Sequence, residues 1–110
     1  MELKEYQKKA LTTAFHPKKY KVIYPALGLG NESGEVMGKI KKWLRGDDGE
    51  GKMSKERREA LKEELGDVLW YLAVLAYDLG ISLEDIAKTN IDKLQSRKKR
   101  GKLKGDGDKR

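Results

Sequence analysis

The sequence predicts an all-α fold: a small four-helix-bundle-like domain with a basic C-terminal tail, assembled into an oligomer. Three observations predict it. Apolar residues recur at helical spacing through most of the chain, and Gly and Pro residues punctuate the runs. Strand patterning is weak, Tyr20-Lys21-Val22-Ile23-Tyr24 being its one short candidate. The 110-residue length makes room for one domain, and a protomer this small covers its apolar faces readily by association.

A first helix is expected from about Leu3 to Ala14, ending before His16-Pro17 because a residue ahead of proline is steered away from helical angles. The second starts near Pro25, which suits a first turn, and runs to about Arg45. Gly46-Asp47-Asp48-Gly49-Glu50-Gly51-Lys52 is a polar, glycine-rich connection. Ser54 is set to cap a third helix that reaches Leu79, with Gly80 as its stop. Ser82-Leu83-Glu84-Asp85 opens a fourth through a capping box in which Asp replaces Glu or Gln, and the helix fades near Arg100. One domain over residues 1–100 and a basic tail over 101–110 follow from this pattern.

Charged residues make up 39% of the chain, with 25 Lys+Arg against 18 Asp+Glu and a formal net charge of +7. From Gln95 to Arg110 there are eight Lys/Arg against two Asp, so six of the seven excess charges lie at the C-terminal end. That balance points to an anionic partner. The absence of Cys removes disulfides, thiolate zinc sites and cysteine nucleophiles. The single His16 precedes Pro17 in a loop, where exposure is expected, and one imidazole excludes a histidine-rich metal site. A bound metal must then be held by oxygen, which selects a hard cation, Mg²⁺ or Mn²⁺ as its substitute. No apolar run approaches the roughly 20 residues of a membrane span and the N-terminus lacks a signal-peptide core, so a soluble, cytoplasmic protein is expected.

At about 100° per residue, Glu32 and Glu35 fall beside the apolar stripe of Leu29, Val36, Ile40 and Trp43. The third helix repeats the arrangement, with Glu64 and Asp67 bordering Leu61, Val68, Leu72 and Leu75. A carboxylate on a core-facing edge costs several kcal/mol unless it is paired, protonated or metal-bound. Two such helices packed face to face would gather four carboxylates whose repulsion a divalent cation relieves. Ordinary salt bridging is the alternative, for example Lys39 to Glu35 at i+4. On the fourth helix Asn90, Lys93 and Arg97 share one stripe, an amide, an ammonium and a guanidinium suited to phosphate oxygens or, alternatively, to neighbouring acids. Lys39, Lys42 and Tyr71 join them as candidate substrate-binding residues. Trp43, Trp70 and Tyr71 serve either as aromatic stacking platforms or as core. Gly30, Gly34 and Gly38 share the far side of the second helix, which suggests a helix-packing surface. Lys98-Lys99-Arg100-Gly101-Lys102 is either a solvated run or a lid over a phosphorylated ligand.

Gly28-Leu29-Gly30-Asn31-Glu32-Ser33-Gly34-Glu35-Val36 followed by Ile40-Lys41-Lys42 resembles the first half-motif of the MazG-like nucleotide pyrophosphohydrolases, in the all-α NTP pyrophosphatase superfamily. Glu63-Glu64-Leu65-Gly66-Asp67-Val68-Leu69-Trp70-Tyr71 is similar to the second, with 28 residues between Glu35 and Glu64. Asn90-Ile91-Asp92-Lys93-Leu94-Gln95-Ser96-Arg97 resembles the NxxKLxxR element of that family. The resemblance implies a MazG-type fold and Mg²⁺-dependent hydrolysis of a nucleoside triphosphate to monophosphate and pyrophosphate. Attack by metal-activated water on the α-phosphorus is the implied route. Glu32, Glu35, Glu64 and Asp67 would be metal ligands, Glu32 or Glu35 the group acting on water, and Asn90, Lys93 and Arg97 phosphate contacts. Some members carry a further Glu where this chain has Asn31, and an amide cannot act as a base. The family also implies a homodimer or homotetramer; the expected partner is a nucleoside triphosphate, a dNTP above all, and neither a membrane nor nucleic acid is expected as one. The competing class is a helical nucleic-acid-binding module that uses the basic C-terminal segment without turnover.

Overall fold

The computed structural model describes all 110 residues, and they form four α-helices with no strand. These are α1 (Leu3–Leu11), α2 (Ile23–Leu44), α3 (Lys55–Asp78) and α4 (Leu83–Lys99), with a single 3₁₀ turn at Lys18–Tyr20 ahead of α2. The all-α expectation holds. Ser54 caps α3 by accepting the Arg57 N–H at 3.0 Å, and Ser82 caps α4 through the Asp85 N–H at 3.0 Å.

α2 and α3 form the main antiparallel hairpin. Residue pairs across it run in opposite directions, from Tyr24 and Gly28 beside Tyr71 to Lys39 beside Glu64. Asp48 in the connection accepts from Arg57 Nε at 3.0 Å and Nη2 at 2.8 Å, which fixes the glycine-rich loop onto α3. Helix α1 lies across the far end of α3. Its buried Gln7 amide donates to the carbonyls of Ala73 and Ile81, and its oxygen accepts the Leu83 N–H. Trp70 Nε1 donates to Ala10 O and Thr13 Oγ1, so this tryptophan anchors α1.

Gly80, at φ +74°, ends α3 in a Schellman turn in which the Ile81 N–H bonds to Ala76 O at 2.8 Å. The chain then leaves in a new direction, and α4 departs from α3 at 102°. The result is an open shape with a radius of gyration of 17.1 Å, against about 13 Å for a compact chain of this length. Only 8 of the 110 residues are buried, too few for a self-contained core.

Three local expectations change. The first helix stops at Leu11, and Thr12 and Thr13 turn their hydroxyls back onto Lys9 and Ala10 carbonyls instead of continuing it. The weak strand candidate at residues 20–24 is the entry to α2: Val22 sits at φ 70°, ψ −52°, with the Ile23 N–H bonded to Lys21 O at 2.8 Å, a strained γ-turn. The His16 side chain is tucked in rather than exposed, with its Nε2 at 3.0 Å from Asp78 Oδ2. The basic tail folds back on the end of α4, where the Arg110 guanidinium donates to the carbonyls of Lys102, Leu103 and Gly107. No single helix is long and apolar enough to cross a membrane.

Candidate metal centre

The seam between α2 and α3 carries the chemistry. Helical spacing puts Glu64 and Asp67 one turn apart on α3, and antiparallel packing brings Glu32 of α2 opposite them. One carboxylate oxygen from each of the three lies within 4.8 Å of the others. Glu32 and Glu64 are half-buried, and Asp67 is exposed. Glu35, the fourth expected member, is exposed and stands outside this trio, though its charge still reaches Glu32.

Burial and repulsion within the trio act together on Glu32. The Glu32 carboxyl is pushed above its ordinary range, first by burial, then by a hydrogen-bonding contact with Glu64 and the charges of Asp67, Glu64 and Glu35. Lys39 is the compensating cation: its Nζ lies 3.3 Å from Glu64 Oε1. Sequence spacing offered it Glu35 at i+4, but the lysine crosses the seam instead, toward the half-buried acid rather than the exposed one. Three carboxylates against one ammonium leave net negative charge on a set of hard oxygen donors. That set fits a divalent cation and offers nothing to a softer, thiolate- or imidazole-seeking metal.

Tyr71 borders the trio. Burial, the neighbouring Tyr24 hydroxyl and the charges of Glu32 and Asp67 all raise its phenol. Its ring lies so close to Gly28 that a Cβ there would fall inside the ring atoms, which is why α2 carries a mid-helix glycine. Trp70 meets Tyr71 edge-on at 4.9 Å. Tyr6 of α1 is a further neighbour that sequence reasoning did not place here: its phenol is raised by burial and by the Asp67 charge. Lys42 is exposed farther along α2, and Trp43 is half-buried.

The residues expected to contact phosphate are not gathered with the carboxylates in one chain. Asn90 and Lys93 are exposed on the diverging α4 and bond to none of the trio. Arg97 is buried at 6% exposure beneath the tail, with Nη2 donating to Asp108 O and Nε without a partner. Gly30, Gly34 and Gly38 face open space, so the packing surface expected there meets no helix of its own chain.

The MazG nucleotide pyrophosphohydrolase domain matches residues 25–101. The chain belongs to that family. It is 47% identical over 87 residues to the gene 37 protein of Mycobacterium phage L5, covering 79% of this chain and 75% of that one. It is 45% identical over 42 residues to protein YvdC of Bacillus subtilis (strain 168), covering 38% of this chain and 40% of that one. No solved structure matches it significantly. The matched segment of this MazG chain contains the acidic trio and every candidate from Glu32 to Arg97, while α1 and His16 lie ahead of it.

Proposed function

We infer that the protein is a Mg²⁺-dependent nucleoside triphosphate pyrophosphohydrolase that converts a (d)NTP to its monophosphate and pyrophosphate, with Mn²⁺ as a working substitute. The observation that carries this reading is the convergence of Glu32, Glu64 and Asp67 within 4.8 Å inside a MazG domain. Those three residues would hold the cation, and Glu35 at the edge would complete its shell or take a proton from water. A cation held there supplies charge screening for the triphosphate and makes water a stronger acid. Lys39 sits beside the acids and is available to an incoming phosphate once the cation neutralises Glu64. Tyr71 supplies a hydroxyl and a ring face at the margin of the trio, and Lys42 adds positive charge farther along α2.

The same reading calls for a second copy of the chain, as a homodimer or homotetramer. Asn90 and Lys93 diverge from the acids within one protomer, so a partner's α4 would bring phosphate contacts to the seam. The exposed apolar residues fit such an assembly: Leu27 is 70% exposed, Met37 67% and Ile91 52%. Light scattering would read two or four copies.

Incubation with a panel of NTPs and dNTPs in Mg²⁺ or EDTA tests the activity. Metal-dependent monophosphate and pyrophosphate are expected. Diphosphate with orthophosphate would overturn attack at the α-phosphorus. Salt-sensitive nucleic-acid binding without turnover would replace the reading with the binding-module alternative.

A further inference from the structure

The N-terminus of α2 has no cap of its own. Val22, in the N-cap position, offers no side-chain acceptor and is held in a γ-turn at φ 70°, a conformation that a β-branched residue adopts only under constraint. The constraint comes from the last residue of α3. Asp78 Oδ2 accepts the Val22 N–H at 2.9 Å and the His16 Nε2–H at 3.0 Å, with the His16 and Asp78 side chains only 9% and 7% exposed. Its carboxylate also lies at the positive end of α2, where it takes the place of a capping side chain.

His16 does more than satisfy Asp78. Its ring stacks on Tyr24 at 5.2 Å between centroids and 8° between planes. Tyr24 in turn lies 6.3 Å from Tyr71, tilted by 48°, and Tyr71 is wedged between Gly28 and Trp70 at the edge of the acidic trio. A continuous line of packed groups therefore runs from a loop outside the matched domain to the candidate site. His16 Nδ1 is buried without a partner, so the imidazole is placed for its Nε2 bond and its ring face rather than for full polar satisfaction.

We propose that His16 is a positioning residue: tied to Asp78, it holds the γ-turn at Val22 and seats the Tyr24 ring, which fixes Tyr71 beside Glu32 and Asp67. The role rests on the pyrophosphohydrolase reading only for its effect on turnover. Its effect on the tyrosines is independent of any substrate.

The test uses the full chain with ¹³C-labelled tyrosine rings, Tyr24 and Tyr71 being assigned through Tyr24→Phe and Tyr71→Phe. His16→Ala is expected to move the resonances of both rings. Mn²⁺ affinity, read by electron paramagnetic resonance, is expected to stay within about twofold, because no ligand has changed. For turnover, KM is expected to rise about tenfold with kcat within about twofold, the signature of a displaced binding group. His16→Gln can still donate to Asp78 but has no ring, so it is expected to restore hydrogen-exchange protection at Val22 while Tyr24 stays displaced. Arg57→Ala, which breaks the remote loop pair with Asp48, lowers Tm and is expected to leave both rings in place. An unmoved Tyr71 resonance in His16→Ala, with Tm lowered as in Arg57→Ala, would make His16 a structural clasp and overturn the proposal, since Tyr24 shifts in any case when the stacked imidazole is removed. Absence of turnover in the unaltered protein would overturn the functional reading, and the ring resonances would still decide the role of His16.

Discussion

Replacing Glu64 by Gln changes almost no volume and removes one charge from the centre of the trio. Two unit charges 4.8 Å apart interact by about 3.5 kcal/mol at an effective dielectric constant near 20. The site opens to solvent, so about 1 kcal/mol or less of that survives. In the metal-free protein two effects oppose each other: the 3.3 Å pair with Lys39 is lost, and repulsion against Glu32 and Asp67 is relieved. They are similar in size, so unfolding free energy is expected to change by less than about 1 kcal/mol. Metal binding has no such cancellation. Losing one of three carboxylate ligands is expected to cut affinity roughly 100-fold, about 2.7 kcal/mol. Wild-type protein at about 100 times its Kd gains about 2.7 kcal/mol from the cation, or roughly 10 °C or more in Tm. The variant at the same concentration gains about 0.4 kcal/mol, roughly 3 °C at most. Circular-dichroism melts in EDTA, Mg²⁺ and Mn²⁺ measure both numbers. A Glu64→Gln variant with the full metal-linked rise in Tm would refute the ligand assignment.

Gly28→Ala would drive a methyl group into the Tyr71 ring, and the overpacking is expected to cost about 1–3 kcal/mol and to displace Tyr71, read as a lower Tm and a higher KM. Gln7→Ala strips partners from the Ala73 and Ile81 carbonyls and the Leu83 N–H, so a loss of about 3 kcal/mol in urea unfolding is expected. Asp48 is held at about 2 by Arg57, below its ordinary value of 3.8. Its stabilisation is therefore complete above about pH 4 and lost as pH falls toward 2, and Arg57→Ala is expected to flatten that part of the stability profile. Glu32 runs the opposite way: its raised carboxyl stabilises the fold below its unfolded pKa, and that contribution disappears as pH rises through the folded value. Saturating Mg²⁺ is expected to abolish this second slope, as differential melts across pH 4 to 7 would detect.

Features governed by neighbours within four residues were legible in the sequence. Ser54 and Ser82 cap their helices because a hydroxyl reaches an amide three residues on, and Gly80 stops α3 because its left-handed angle suits glycine. The faces of the acids were legible for the same reason, since helical periodicity fixes Glu64 against Asp67. Which carboxylates meet was not, because it depends on how α2 and α3 are rotated about their axes. That rotation turns Glu32 inward and leaves Glu35 outside, and it sends Lys39 to Glu64. The γ-turn at Val22 was hidden because its support, Asp78, lies 56 residues away. The direction of α4 was equally hidden: Gly80 announced an end to α3 but not the 102° departure that carries Asn90 and Lys93 away from the trio.

Hydrolysis of a dNTP panel in ¹⁸O-labelled water, followed by mass spectrometry of both products, is the most direct test that the acidic trio serves attack at the α-phosphorus. Label in the monophosphate, present with Mg²⁺ and absent with EDTA or in Glu64→Gln, is the predicted result. Label in the pyrophosphate, or turnover that persists in Glu64→Gln, would contradict it.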